Sequence, residues 1–118
     1  VGDRLDTTAV TQMLGVTRQA LAKRTSNGSL LGLPGHRTTW YPTWQFDRER
    51  QRVRPEVREL IMSFRRKLRK VDPLLIASWA TTPQEDLDGA TPAEWLEDER
   101  DSERLLVAAA RAASHLAQ

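Results

Sequence analysis

Residues 5–30 read LDTTAVTQMLGVTRQALAKRTSNGSL and contain two short helical patterns separated by Gly15. Within residues 7–14, apolar side chains recur at the three- and four-residue spacing of a short amphipathic helix, which Gly15 ends. Thr17 can cap a second helix over residues 18–27, and glycine tolerates the left-handed backbone that closes such a helix at Asn27-Gly28. Two short helices joined by a turn with glycine are the sequence pattern of a helix-turn-helix.

A β-hairpin is predicted to follow the two helices. SLLGL at residues 29–33 and TWYP at residues 39–42 have the composition of brief strands, and PGHRT between them is rich in turn-forming residues. Four of the seven aromatic residues fall within residues 40–46, and large rings supply core to a small module. We therefore predict a winged helix-turn-helix over residues 1–47. Residues 48–55 are charged without apolar periodicity, which favours a linker or an exposed helix start.

The remaining residues, 56–118, are expected to form an all-helical bundle. Pro55, Asp72-Pro73 and Thr91-Pro92 each resemble the start of a helix, and Glu94 completes a capping box with Thr91. The first of these helices carries the basic run RRKLRK at residues 65–70, for which a helix-dipole complement or a solvated face is favoured over a DNA contact. The predicted fold is mainly α, with an N-terminal helix-turn-helix, a small β-hairpin wing and a C-terminal helical bundle.

Charge is distributed unevenly along the 118 residues. Residues 1–55 hold nine Lys or Arg against four Asp or Glu, whereas residues 83–103 hold nine acids and one base. A basic front suits a polyanion, and an acidic patch suits solvent or a basic partner. There is no cysteine, and His36 and His115 lie far apart, so we expect no disulfide, metal or cofactor. Without a membrane-length apolar run or a signal-peptide pattern, a cytoplasmic protein is expected.

The second predicted helix carries the residues that point to nucleic acid. In a helix-turn-helix this helix enters the major groove of double-stranded DNA with its N-terminal residues against base edges. Arginine can pair with guanine, glutamine with adenine, and threonine can contact a phosphate or a thymine methyl group. We expect such contacts from Thr17, Arg18, Gln19 and Lys23, and phosphate contacts from Arg24, His36 and Arg37. The alternative is a polar helix that is only solvated, as most charged helix faces are.

Two longer segments resemble known families. LDTTAVTQMLGVTRQALAKRTSNGSLLGL with TTWYPTWQFD resembles the winged or MerR-like helix-turn-helix modules of small bacterial regulators. DPLLIASWATTPQEDLDGATPAEWLEDERDSERLLVAAARA resembles the C-terminal domain of the Xre/MbcA/ParS antitoxin group. The resemblance is carried by Trp79, Thr82, Pro83, Leu87, Asp88, Gly89, Thr91, Pro92 and Leu96. The chain departs from that group in its winged front module and in lacking the glycine near the C-terminus.

This resemblance implies a type II antitoxin, usually dimeric, which binds the operator of its own operon and blocks a protein toxin, often of the NAD-consuming RES class. The residues it points to for partner contact are Trp79, Leu87, Asp88, Thr91, Trp95 and Glu97. A purely structural role is open for each of them. Gly89 and Thr91-Pro92 can simply make a turn and a cap, tryptophans on short helices usually anchor packing, and acidic faces are usually solvated.

The sequence contains no arrangement typical of catalysis. It has no phosphate-binding glycine pattern, no nucleophile elbow and no His-Glu zinc motif, so we do not expect an enzyme. The favoured hypothesis is an antitoxin-like transcriptional regulator that binds DNA and a toxin and forms a homodimer. A stand-alone bacterial or phage regulator, whose helical half only dimerises or packs, is the first alternative. A protein-interaction module with a vestigial helix-turn-helix is the second.

Overall fold

The computed structural model describes residues 3–118, which form six α-helices and five short strands. The helices are α1 (Thr7–Leu14), α2 (Arg18–Ser26), α3 (Glu56–Lys67), α4 (Pro73–Ala80), α5 (Pro92–Glu97) and α6 (Ser102–Leu116). The strands are β1 (Arg4–Asp6), β2 (Leu33–Pro34), β3 (Thr39–Pro42), β4 (Phe46–Asp47) and β5 (Arg52–Val53). The mainly helical class predicted from the sequence is confirmed. Within residues 3–118 no helix has the length and apolar character to cross a membrane.

A three-stranded antiparallel sheet with the order β1-β3-β2 packs with the first two helices. Its β2–β3 hairpin, with Leu33 opposite Trp40, lies where the sequence predicts a wing. Strand β1 was not predicted; it pairs Leu5 with Tyr41 on the other edge of β3. It is only three residues long and runs directly into α1 through Asp6, whose carboxylate accepts the N–H of Ala9 at 2.8 Å, so it leaves no alternating pattern.

Residues 46–53 form a second, very small hairpin from β4 and β5, with Phe46 opposite Val53. The expectation of an exposed helix start is wrong for residues 48–53, because the chain forms a turn and strand β5 there. The buried Asp47 carboxylate closes the turn, since it accepts the backbone N–H of Arg50 at 3.2 Å and its guanidinium at 2.8 Å. These strands could not be predicted from the sequence, because two residues are too few to show an alternating pattern among charged neighbours.

Two hydrophobic clusters form the core. The smaller one joins α1, α2 and the sheet, and consists of Val10, Leu21, Leu30, Tyr41 and Phe46. The larger one gathers the inner faces of α3 to α6. It also contains Leu31 and Trp44, which come from the first 47 residues. Val53 packs against both clusters, so the two parts of the core are continuous through the β4–β5 hairpin.

Candidate functional site

Helix α2 has one inward face and a large exposed surface. Within this helix only Leu21 is fully buried, Ala20 and Thr25 are half-buried, and the other six residues are exposed. The helix begins because the Thr17 hydroxyl accepts the N–H of Ala20 at 3.1 Å, as predicted, and it ends at Asn27. A short helix held by so few apolar contacts presents most of its side chains to whatever lies outside the protein.

The turn between α1 and α2 fixes the direction in which α2 leaves. Gly15 takes a left-handed conformation with φ of +65° and its N–H closes α1 on the carbonyl of Thr11. Arg18 then reaches back across the turn, where its Nη2 donates to the Thr8 hydroxyl at 2.9 Å. The predicted base-contacting Arg18 therefore also ties the first turn of α2 to the first turn of α1.

The cations of α2 and of the turn between β2 and β3 lie in a part of the sequence without carboxylates. Residues 7–46 contain no Asp or Glu at all. Lys23, Arg24 and Arg37 are exposed, and among residues 3–118 none of them forms an ion pair. Uncompensated positive charge on one surface attracts polyanions and raises their rate of association. The surface of α2 is therefore electrostatically suited to a phosphate backbone.

The β2–β3 hairpin begins beside the last turn of α2. A Cβ placed on Gly32 would stand 2.9 Å from the Thr25 methyl of α2 and 2.8 Å from the Thr39 methyl of β3, so the hairpin and the helix are in close contact here. The turn beyond is closed by the Gly35 N–H, which donates to the carbonyl of Thr38 at 2.7 Å. His36 and Arg37 are exposed in that turn. The seven predicted DNA contacts thus lie on α2, at its N-cap, or on the hairpin packed against it.

Of the six predicted partner contacts, four are buried or half-buried and two are exposed. Trp79, Leu87 and Trp95 are 9%, 0% and 4% exposed and belong to the larger core cluster, so their side chains serve packing. Thr91 is half-buried and forms the predicted capping box with Glu94, accepting its N–H at 3.1 Å and donating its own N–H to the Glu94 carboxylate at 2.9 Å. These four residues are occupied within the chain itself.

Asp88 and Glu97 are the two predicted partner contacts that are exposed. Asp88 is already engaged, because both of its carboxylate oxygens accept from the Arg104 guanidinium at 3.1 and 3.2 Å, which lowers the pKa of Asp88. The guanidinium of Arg104 also lies 4.9 Å from the ring centroid of Trp95. Arg104 therefore connects the turn at residues 87–89 to α5, a link that the sequence does not indicate.

An open groove of about 670 Å³ runs between α4 and α6. Its apolar part includes Leu75 and Leu116, and the latter is 45% exposed. Arg111 and His115 stand at its edge, with Arg111 3.6 Å from the Asp86 carboxylate. The groove is large enough for several side chains of another molecule and was not predicted, because it requires the packing of two helices that are distant in sequence.

No group of three or more potential metal ligands occurs within residues 3–118. Comparisons with protein-family models, with curated proteins and with solved structures find no significant match to this chain.

Proposed function

We propose that this protein is a DNA-binding transcriptional regulator of the antitoxin type. In this proposal residues 1–47 act as a winged helix-turn-helix, and the helical bundle of residues 56–118 holds a toxin. The observation that carries the DNA-binding part is the surface of α2. Six of its nine residues are exposed, and the surrounding forty residues, 7–46, contain cations but no carboxylate.

The exposed face of α2 has the composition needed to read base edges. Gln19, Ala22, Lys23 and Ser26 recur at the three- and four-residue spacing that aligns side chains on one helical face, and all four are exposed. Glutamine can pair bidentately with adenine, lysine with guanine, and small residues let the helix approach closely. Arg24 on α2 and Arg37 on the wing would then contact phosphates, which position the protein without reading sequence.

The experiment that tests the DNA-binding part begins with selection of preferred duplexes from a random-sequence DNA library by the wild-type protein. Gln19→Ala with Lys23→Ala should bind the selected duplex at least about 10-fold more weakly, since a bidentate base contact is worth roughly 1–3 kcal/mol. Arg18 is left intact because it also holds Thr8. Arg111→Ala removes the same amount of charge from the helical half and serves as the control.

The outcomes separate the alternatives. Enrichment of a sequence, lost in the α2 variant and kept in the control, supports a regulator that reads DNA through α2. A wild-type protein that enriches no sequence and binds random duplexes without salt dependence refutes it, and leaves the protein-interaction module. For the homodimer we expect a palindromic site with half-sites about one helical turn apart. A single asymmetric site contradicts that arrangement.

The antitoxin part of the proposal is supported by the resemblance of residues 72–112 and by the groove between α4 and α6. We expect the product of an adjacent toxin-like gene to copurify with the chain when the two are coexpressed, and its toxicity to be relieved. Leu116→Glu should weaken the complex, because it introduces a charge beside the apolar part of the groove. Leu74→Glu is the matched control, since Leu74 is 61% exposed and does not line that groove.

If no neighbouring product binds while DNA binding is intact, the stand-alone regulator replaces the antitoxin. In that case residues 56–118 serve dimerisation or packing only.

A further inference from the structure

The basic run of residues 65–70 lies at the C-terminal end of α2, although nearly forty residues separate them in sequence. The guanidinium of Arg65 donates to the carbonyl of Ser26, the last residue of α2, at 3.1 Å. Gly28, which follows α2, is packed so closely that an added Cβ would meet Met62 and Arg65 of α3. The end of α3 and the end of α2 are therefore in direct contact.

The residue that follows the basic run, Val71, lies on the same side of the protein as the last turn of α2. A cavity of about 90 Å³ is lined by both Arg65 and Val71 together with Thr25 of α2. Helix α3 ends at Lys67, not at Lys70 as predicted, and the backbone is extended at Leu68. Arg69 and Lys70 thus lie outside the helix, between Arg65, which bonds to the end of α2, and Val71, which lines the same cavity as Thr25.

This segment has a high density of uncompensated positive charge. Its five cations, Arg65, Arg66, Lys67, Arg69 and Lys70, are all exposed. Residues 60–71 contain no carboxylate, and within residues 3–118 the segment makes a single ion pair, between Arg66 and Glu59 at 3.2 Å. A complement to the helix dipole accounts for the cations of the last turn of α3, but not for Arg69 and Lys70 beyond it.

We propose that residues 65–70 form a second, sequence-independent DNA contact that binds the phosphates at the edge of the groove entered by α2. The inference rests on the proposed function. A nine-residue helix is about 13.5 Å long and the major groove is about 12 Å wide, so groups at the C-terminal end of α2 reach the groove edge when its N-terminal residues contact bases. Arginine and lysine in a carboxylate-free segment are the residues that bind a phosphate backbone.

The test compares the wild type with Lys67→Gln, Arg69→Gln and Lys70→Gln combined. Arg65 is retained for its contact with Ser26, and Arg66 for its ion pair. The affinity is measured against salt concentration, for the selected duplex and for a random duplex. We expect the logarithmic salt slope to fall by about 2–3 on both duplexes, since each released phosphate contact contributes about 0.9. Affinity should fall on the order of 10-fold or more at low salt, with the preference for the selected duplex unchanged.

A charge-matched control carries Arg48→Gln, Arg58→Gln and Arg111→Gln, three exposed cations outside the segment. Its salt slope should stay close to the wild-type value. Thermal unfolding of both triple variants checks that neither has lost its fold.

Each other outcome counts against the proposal. If the wild type selects DNA and the segment variant keeps its salt slope, the second contact is refuted while the proposed function stands. A variant that loses preference for the selected duplex shows that the segment reads or positions bases, which contradicts a sequence-independent contact. Absence of salt-dependent binding by the wild type refutes both proposals together.

Discussion

Gln45 and Leu31 are joined by two hydrogen bonds that reproduce the pairing of neighbouring strands. The Gln45 side-chain oxygen accepts the Leu31 N–H at 2.7 Å, and its amide nitrogen donates to the Leu31 carbonyl at 2.8 Å and to the Pro42 carbonyl at 3.2 Å. Gln45 is completely buried. A polar side chain therefore satisfies the backbone of the segment that connects α2 to the β2–β3 hairpin.

Replacing this glutamine by leucine should be strongly destabilising. Gln45→Leu keeps the approximate size of the side chain but leaves the buried Leu31 N–H and carbonyl without partners, at about 2–4 kcal/mol. Chemical denaturation followed by circular dichroism measures the loss. Gln12→Leu, an exposed position on α1, is the control and should change the free energy of unfolding by less than about 0.5 kcal/mol. Equal effects at both positions would contradict the role assigned to Gln45.

An alanine at Gly32 should push the β2–β3 hairpin away from α2. Its Cβ would meet the methyl groups of Thr25 and Thr39, and the side chains of β-branched residues have little rotational freedom. The expected cost is about 1–3 kcal/mol in the free energy of unfolding. Adding Thr25→Ser and Thr39→Ser removes both methyl groups and should recover part of this cost relative to the two serine changes alone. A cost that the serines leave untouched would mean that the clash is not its cause.

The two buried tryptophans should respond differently to phenylalanine. The Trp95 indole N–H donates to the Asp101 carbonyl at 2.8 Å, whereas the buried Trp79 N–H finds no acceptor within residues 3–118. Trp95→Phe removes the shorter of the two hydrogen bonds to the Asp101 carbonyl, which also accepts the Leu105 N–H at 3.3 Å, whereas Trp79→Phe removes a donor that is already unsatisfied. Both changes shrink the ring equally. We expect Trp95→Phe to be more destabilising than Trp79→Phe by about 1–2 kcal/mol in denaturant titrations. Equal losses would argue for an acceptor at Trp79.

The turn of the β4–β5 hairpin should make stability dependent on pH in the acid range. Hydrogen bonds from Arg50 hold the pKa of Asp47 below its usual value, so the folded state favours the charged carboxylate. The resulting stabilisation is present above the unfolded-state pKa of about 3.9 and is lost as pH falls through the lower folded-state pKa. Asp47→Asn should therefore be less stable than the wild type near neutral pH, and the difference should shrink below about pH 4.

Unfolding titrations across pH measure this difference. Glu49→Gln changes a carboxylate that is exposed in the same turn and should leave the stability near neutral pH almost unchanged. A stability difference for Asp47→Asn that persists undiminished in acid would contradict the ion pair as its source.

Local patterns predicted local structure well. The Thr17 cap, the Gly15 turn, the Asp72-Pro73 start of α4 and the Thr91 capping box depend on residues within a few positions of each other, and the structure has them all. The features that escaped prediction depend on distant partners. They include the pairing of β1 with β3, the bonds between Gln45 and Leu31, and the contact of Arg65 with Ser26.

In the candidate site, too, local features could be predicted from the sequence and features that depend on tertiary packing could not. Exposure of α2 follows from its polar composition, which the sequence displays directly. The position of the basic run of residues 65–70 beside α2 depends on how α3 packs, so its charge could be recognised in the sequence but its neighbour could not. Likewise Trp79, Leu87 and Trp95 were predicted to contact a partner but are buried, because a motif conveys residue types and not which side of a helix meets the core.

The sharing of Val53 between the two core clusters, and the placement of Leu31 and Trp44 in the larger one, bear on how such a protein can diverge. Recombination that joined the first 47 residues to an unrelated helical half would leave Leu31 and Trp44 facing side chains not shaped for them. A gene encoding this chain is thus expected to be inherited whole, because a substitution on one side of the boundary between the clusters requires a compensating substitution on the other, whereas exposed positions of α2 such as Gln19 and Lys23 belong to neither cluster.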